Sequence, residues 1–78
     1  MALSNELIQE MTLLMQYDLS STQTGLKVHS GSASDEMISA AQRLYDKKIV
    51  DQKDGGYLTS LGREVAEHVQ SACRILKT

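Results

Sequence analysis

The sequence predicts an α+β fold in which residues 1–78 form one domain, with three main helices and a short β-hairpin between the second and third. Two changes of periodicity within Ala40–Glu64 predict this fold. A helix-spaced apolar pattern gives way to alternation around Gly55-Gly56, and helix spacing resumes after Leu58-Thr59. A chain of 78 residues buries only about 60% of the surface that its unfolded form exposes, so the core is predicted to be thin.

The first helix is predicted over about residues 5 to 17, with Ser4 as its N-cap. Leu13 points nearly opposite Met11 on this helix, and Tyr17 lies one turn further on the same outer side. These two residues are then either stray exposed side chains or a contact surface for a partner subunit. The buried face is predicted to contain Leu7, Ile8, Met11, Leu14 and Met15.

The segment from Asp18 to Ser34 is rich in Ser, Thr and Gly, yet it carries local structural signals. Ser20-Ser21-Thr22-Gln23 matches a capping box and predicts one short helical turn, which Gly25 can end. Leu26–His29 alternates apolar with polar residues, which predicts a brief edge strand that could pair with the later hairpin.

The second helix is predicted to begin after Ser34, its N-cap, and to end near Lys47 or Lys48. Asp35 and Glu36 in its first turn complement the positive end of the helix dipole. The buried stripe of this helix is predicted to contain Met37, Ile38, Ala41, Leu44 and Tyr45.

The hairpin is predicted from three short segments. Ile49-Val50 is β-branched and begins the first strand, and Tyr57-Leu58 forms the second. Asp54-Gly55-Gly56 between them supplies residues that tolerate a positive φ.

The last helix is predicted from about Ser60 to Leu76 with Thr59 as its N-cap, and it is the strongest amphipathic signal in the chain. At roughly 25 Å it extends past a small core, so part of its stripe is expected to pair with another subunit. Gly62 is either a tolerated exposed glycine or a point of close packing against the hairpin, and close packing would compensate for the roughly 1 kcal/mol that glycine costs in a helix relative to alanine. The stripe contains Leu61, Val65, Val69, Ala72 and Leu76, opposite Arg63, Glu67, Gln70 and Arg74.

These patterns predict a homodimer, since a core this small leaves oligomerisation open as a source of stability. The predicted interface comprises Leu13, Tyr17, Val65, Val69, Ala72 and Leu76.

Composition limits the function classes. Eight basic and ten acidic residues give a net charge of −2, which argues mildly against nucleic acid because phosphate binding needs cations. No apolar run is long enough to span a bilayer and the N-terminus lacks a positive export region, so no membrane association is expected. The single cysteine, Cys73, fits a reducing cytoplasmic setting.

Catalytic and metal chemistry are not predicted. His29 and His68 lack the spacing of metal ligands, so we expect neither a metal nor a cofactor. The serines lack a nucleophile elbow and Gly55-Gly56 is a turn rather than a phosphate loop. A core this thin can hardly enclose a pocket of several hundred Å³, so the chain is not expected to be an enzyme or to take a small-molecule ligand.

Three segments, R-L-x-x-K-x-I-V from Arg43, D-G-G-Y-L-T from Asp54 and L-G-R-E from Leu61, resemble winged-helix regulators of the MarR and PadR types. With Q-Y-D-L-S-S-T-Q-T-G-L-K-V-H, the whole chain resembles a small family of uncharacterised bacterial proteins often labelled as DNA-binding. The resemblance implies a winged-helix-like topology, with Ala33–Lys48 in the recognition-helix position and Asp51–Tyr57 as the wing. It also favours close packing at Gly62, which follows L-T-x-L as in these regulators.

Double-stranded DNA is therefore one predicted partner, for a transcription-associated protein. Arginine and glutamine pair bidentately with guanine and adenine, and lysines contact phosphates. The alternative for the same helix is a solvated face with Asp46 beside Arg43, in a protein-interaction module that does not bind nucleic acid. A two-fold dimer would present two recognition helices. The predicted DNA contacts are Ser39, Gln42, Arg43, Lys47 and Lys53.

Overall fold

A computed structural model describes residues 3–21, 25–28, 31 and 33–77. Within these residues it confirms the predicted α+β fold, with three helices and a three-stranded antiparallel sheet in a winged-helix-like arrangement. The turn predicted from Ser20-Ser21-Thr22-Gln23 falls largely outside the described residues, as does His29. The elements in chain order are α1 (Asn5–Leu14), β1 (Leu26–Lys27), α2 (Asp35–Asp46), β2 (Val50–Gln52), β3 (Gly55–Leu58) and α3 (Ser60–Leu76).

All three predicted N-caps are confirmed. The hydroxyl oxygens of Ser4, Ser34 and Thr59 each accept a hydrogen bond from the backbone amide three residues later, at 3.0–3.3 Å. Each cap satisfies an amide that has no carbonyl partner inside its helix, which fixes where the helix begins.

The end of α2 sets the angle at which the chain enters the sheet. Lys48 adopts a left-handed conformation with φ 64°, and its amide donates to the Tyr45 carbonyl at 3.0 Å. The amide of Ile49 donates back to the Leu44 carbonyl at 2.9 Å. This pair of bonds is the Schellman motif, in which a left-handed residue, usually glycine, ends the helix. It turns Ile49 into the core.

The sheet has the order β1-β3-β2, so the predicted edge strand does pair with the hairpin. Leu26 lies opposite Gly56 and Val50 opposite Leu58, with a shift in register between Val50 and Gln52. Gly55 and Gly56 were predicted to lie in the turn, but they begin β3, and the turn consists of Lys53 and Asp54. The tolerance of positive φ predicted for these glycines is used, with φ values of 115° and 74°.

The face of α1 that packs into the core differs from the predicted one. The prediction that Leu13 and Tyr17 point outward is wrong, because both are buried, while Ile8 is 46% exposed. The α-helix ends at Leu14 rather than near residue 17, and short-range bonds follow it: the Gln16 amide donates to Leu13 and that of Tyr17 to Leu14. Such bonds tighten the last turn, which changes the direction of Tyr17. Leu13 lies within α1, on a buried stripe with Glu10 and Leu14. Leu13 and Tyr17 are therefore core residues and do not form a dimer surface.

The close packing predicted at Gly62 is confirmed. A Cβ atom at this position would overlap the carbonyl oxygen of Ile49, so no larger residue fits without displacing the backbone. The buried side of α3 consists of Gly62 and Ala66, which lie to one side of the predicted stripe. Val65 and Val69 pack at the edge of the core, and Ala72 and Leu76 are exposed.

The buried stripe predicted for α2 is partly confirmed. Ala41 and Leu44 are buried as predicted, together with Ala40, whereas Tyr45 is exposed. Among the described residues, no helix is both long enough and apolar enough to cross a membrane.

Candidate functional site

Four of the five predicted DNA contacts lie on α2 or at its C-cap, but they do not share one face. Ser39 and Gln42 are exposed, and Arg43 and Lys47 lie on the side of the helix that faces α1. The fifth, Lys53, is exposed in the hairpin turn. The structure therefore separates the predicted set into two cations beside α1 and three residues that face solvent.

A buried carboxylate holds both Arg43 of α2 and Lys47, the C-cap of that helix. Glu10 of α1 is only 5% exposed. Its Oε2 accepts a hydrogen bond from Arg43 Nε at 2.8 Å, and its Oε1 accepts one from Lys47 Nζ at 2.5 Å. Charge-assisted hydrogen bonds of this kind are about twice as strong as neutral ones. They connect distant parts of the chain, since Glu10 lies 33 residues before Arg43 and 37 residues before Lys47.

The ionisation of Glu10 follows from these contacts. Burial alone raises the pKa of this carboxyl, because water no longer solvates the charge. The hydrogen bonds and positive charges of Lys47 and Arg43 outweigh burial, and the pKa of Glu10 lies below its ordinary value. The carboxylate is thus charged at neutral pH and remains a partner for both cations.

The remaining donors of Arg43 also point at α1. Its Nη2 donates to the Glu6 carbonyl oxygen at 3.3 Å and to Gln9 Oε1 at 3.5 Å. The alternative in which Asp46 pairs with Arg43 does not describe this contact, since the carboxylate bonded to Arg43 is Glu10. The guanidinium therefore fastens α2 to α1 instead of extending toward solvent.

Glu10 was not singled out from the sequence, although a signal for it exists. Glu10, Leu13, Leu14 and Tyr17 follow the spacing i, i+3, i+4 and i+7, so a glutamate occupies the buried stripe. A carboxylate in such a stripe needs a cationic partner from another element. The sequence does not say which cation supplies it.

Two grooves border α2, and each is lined by two of the predicted DNA contacts. Ser39 and Arg43 line one groove between the N-terminal parts of α1 and α2, which also contains the carboxylates of Glu6, Asp35 and Glu36. These carboxylates give the groove a negative charge, which would repel the phosphates of DNA.

The second groove lies between α2 and the wing and has a volume of about 310 Å³. It brings Gln42 and Lys53 together, which the sequence alone could not establish. Lys27 and Asp54 also line this groove, and they form a 3.7 Å ion pair with each other.

The connection after α1 is fastened by two residues of α3 that were predicted to lie on its polar outer side. Gln70 Nε2 donates to the carbonyl oxygens of Leu14 at 3.0 Å and Tyr17 at 2.8 Å. Arg63 Nη2 donates to the Leu19 carbonyl oxygen. These bonds satisfy backbone groups at the end of α1, so Arg63 and Gln70 have a structural role.

A largely apolar surface remains on α3, and we call it the α3 stripe: Leu61, Val65, Ala72, Ile75 and Leu76, with the polar His68 among them. Leu61 is 49% exposed, Ile75 66% and Leu76 83%. Val65 is half-buried. Within the described part of the chain, no group of three or more His, Cys, Asp or Glu side chains is placed to hold a metal ion.

The fold is thus that of a winged-helix-like α+β domain whose second helix is fastened to the first by buried Glu10. The chain belongs to a family of unknown function, DUF5669, whose model matches residues 1–77. No protein with a curated description and no solved structure matches the chain.

Proposed function

We propose that this protein is a protein-interaction module that has a winged-helix-like shape and does not bind DNA through α2. The observation that carries the proposal is the pairing of Glu10 with both Arg43 and Lys47. Nonspecific DNA affinity depends on cations that replace the counterions of phosphates. A cation already neutralised by a buried carboxylate must lose that contact before it can bind a phosphate.

The remaining charge on α2 supports the same proposal. Asp35 and Glu36 are exposed at its N-terminal end, where recognition helices usually contact base edges. Asp46 is exposed at the other end. Carboxylates at both ends repel the phosphates that line a groove of DNA.

The α3 stripe is the surface that a protein partner would cover. Its exposed aliphatic side chains lie along a single helix, and partner helices bind to such faces through residues spaced three and four apart. The interaction function therefore has a candidate surface on a different helix from α2.

The DNA part of the proposal can be tested by titrating labelled duplex DNA at about 50 mM and 200 mM salt. We expect no binding at the lower salt. Binding that falls by orders of magnitude at the higher salt, and that Arg43→Ala weakens in a folded protein, would overturn the proposal. Glu10→Gln is the informative companion, because it removes the carboxylate that neutralises the two cations.

The interaction part can be tested by placing a photo-cross-linking amino acid at position 61 in cells that make the protein. We expect a covalent adduct with a polypeptide. Position 8 on α1 is the matched control, since Ile8 and Leu61 are 46% and 49% exposed. Adducts of equal yield at both positions, or at neither, would contradict a specific interaction through α3.

A second candidate function, binding of double-stranded DNA, is favoured by the groove that holds Gln42 beside Lys53. Glutamine can pair with adenine while a wing lysine contacts the backbone. If this groove binds DNA, Lys53→Ala should lower affinity and the salt dependence together, and Gln42→Ala should change the sequence preference.

A cytoplasmic location is part of the proposal. It is supported by the lone Cys73, which has no second cysteine with which to form an intrachain disulfide.

A further inference from the structure

We propose that the groove holding Gln42 beside Lys53, which we call the wing groove, binds an acidic segment of a partner protein in an extended conformation. The groove lies between α2 and the wing and has a volume of about 310 Å³. The inference rests on the proposed interaction function and adds a second contact surface to it. It also states the chemistry of the segment that this surface takes.

The interior of the wing groove is apolar. Val28, Ile38 and Ala41 line it, and Ala41 is buried while the other two are half-buried. Because Val28 packs against the core and Ala41 belongs to it, the fold holds this part of the groove in place. Binding pockets combine such an apolar lining with a few polar groups that fix the orientation of the ligand. The interior therefore suits an aliphatic side chain.

The rim of the wing groove is positively charged. Lys27 and Lys53 line it and are exposed, and Asp54 is the single carboxylate in the lining. Asp54 lies 3.7 Å from Lys27, whereas no ion pair joins Lys53 to another residue in the described ranges. On a chain whose net charge is −2, this groove is thus locally positive and would attract carboxylates. Charge complementarity selects an acidic occupant.

The edge of the sheet beside the groove matches the backbone of an extended peptide. The amide of Val28 donates to the Asp54 carbonyl oxygen at 2.7 Å, and Lys27 lies opposite Gly55. In an antiparallel pair the hydrogen-bonding direction alternates, so the N–H and C=O of Lys27 point away from β3. No strand in the described part of the chain pairs with that side of β1. Extended peptides bind to such edges by adding a strand.

The side chain of Gln42 offers a further match to a peptide. It is exposed on the α2 side of the groove. Its amide carries both donors and an acceptor, as a peptide group does, so it can pair with a backbone N–H and C=O together.

These features fit a peptide better than duplex DNA. A duplex carries one charge per about 1.7 Å of its axis, and its affinity grows with the number of cations that neutralise phosphates. The wing groove supplies two lysines, and one of them is already paired with Asp54. A duplex lying along α2 would also meet the exposed Asp35 and Glu36 in the first turn of the helix. A short peptide that stays within the groove avoids both carboxylates.

Fluorescence anisotropy with the intact chain tests the inference. The probe is a fluorescein-labelled peptide of eight residues in which glutamate and leucine alternate. The control is the same peptide with glutamine in place of glutamate. We expect the acidic peptide to bind about fivefold more tightly than the neutral one, as two or three exposed ion pairs allow. Equal binding of the two peptides, or no binding of the acidic peptide at about 1 mM protein, would overturn the inference.

Three substitutions locate the charge contacts, with circular dichroism as the check on folding. Lys53→Ala should weaken binding of the acidic peptide about threefold, whereas the matched control Lys77→Ala, which removes an exposed lysine outside the groove, should not change it. Asp54→Asn should strengthen binding about twofold, because it removes the carboxylate from the lining. Unfolding cannot produce such a gain. Equal weakening by both lysine variants, or a loss of affinity in Asp54→Asn, would contradict the proposed site.

Nuclear magnetic resonance of the amides shows where the acidic peptide binds. We expect chemical-shift changes at Lys27, Gln42 and Lys53 and none along α3. Changes on α3 alone would reject the wing groove as the site. A labelled duplex that displaces the peptide, with an affinity that falls by orders of magnitude between about 50 mM and 200 mM salt, would assign the groove to nucleic acid and overturn the inference.

Failure of this inference can be told apart from failure of the proposed function. A polypeptide adduct at position 61, without binding of the acidic peptide, would reject the wing groove and keep the interaction function. Salt-dependent DNA binding that Arg43→Ala weakens, with the acidic peptide still bound through Lys53, would reject the proposed function and keep the wing groove.

Discussion

Replacing Glu10 by glutamine is the most direct perturbation of the contact between α1 and α2. The substitution keeps the shape of the side chain and one acceptor oxygen, but it removes the charge that Arg43 and Lys47 share. Hydrogen bonds to charged groups contribute about 1.5–3 kcal/mol each. The Arg43 and Lys47 side chains are 30% and 50% exposed, so water compensates for part of the loss. We therefore expect the free energy of unfolding to fall by about 1–2 kcal/mol.

A double-mutant cycle measured by urea denaturation tests this estimate. Glu10→Gln, Arg43→Gln and the double variant give the coupling of one pair, and Lys47→Gln with Glu10→Gln gives the other. The Arg43 coupling should be the larger because Arg43 is less exposed than Lys47. Couplings of both pairs below about 0.3 kcal/mol would refute the view that Glu10 holds α2 on α1.

The pH dependence provides an independent check with a definite sign. The pKa of Glu10 is lower in the folded state than its ordinary value, so folding favours the ionised carboxylate. Its contribution is complete above the unfolded pKa of about 4.3 and is lost as the pH falls through the folded pKa. The stability difference between wild type and Glu10→Gln should therefore be constant near neutral pH and shrink in acid. A difference that grows in acid would contradict the ion pairs.

Three further substitutions can be followed by the same urea denaturation. Gly62→Ala should destabilise by about 2 kcal/mol or more, because the alanine Cβ would overlap the Ile49 carbonyl oxygen, although alanine favours helices. Gly31→Ala is the control and should be nearly neutral, since Gly31 has open space around it. Lys48→Gly should stabilise by up to about 1 kcal/mol, since glycine adopts the left-handed conformation without a steric cost. A loss of stability would mean that the lysine side chain has a stabilising contact. Tyr17→Phe should not destabilise, because the buried hydroxyl has no hydrogen-bond partner within the described residues. Burial, then Asp51 and Asp54, raise the pKa of Tyr17 to about 12, so the wild-type phenol should stay protonated well above pH 10; a loss above about 1 kcal/mol in Tyr17→Phe would reveal a partner.

The sequence by itself determined the order and type of the elements and the residues at which the three helices begin. Ser4, Ser34 and Thr59 cap their helices as predicted, and Gly55 and Gly56 have positive φ values that favour glycine. These features follow from interactions within a few residues, which periodicity and capping chemistry describe directly.

The tertiary structure decided which faces meet. Leu13 and Tyr17 were predicted to lie outside and are buried, because α1 packs on its neighbours through a different stripe from the predicted one. A stripe on a helical wheel gives a direction around one axis only, whereas packing depends on the positions of all the helices together.

The same reason explains the candidate site. The sequence identified Arg43 and Lys47 as exposed cations, and only the fold places both beside Glu10, which lies more than 30 residues away along the chain. Charged side chains that lie far apart in the sequence meet only when the complete fold brings their helices together. A buried carboxylate without a partner is costly, so Glu10 binds the cations that the fold places within reach.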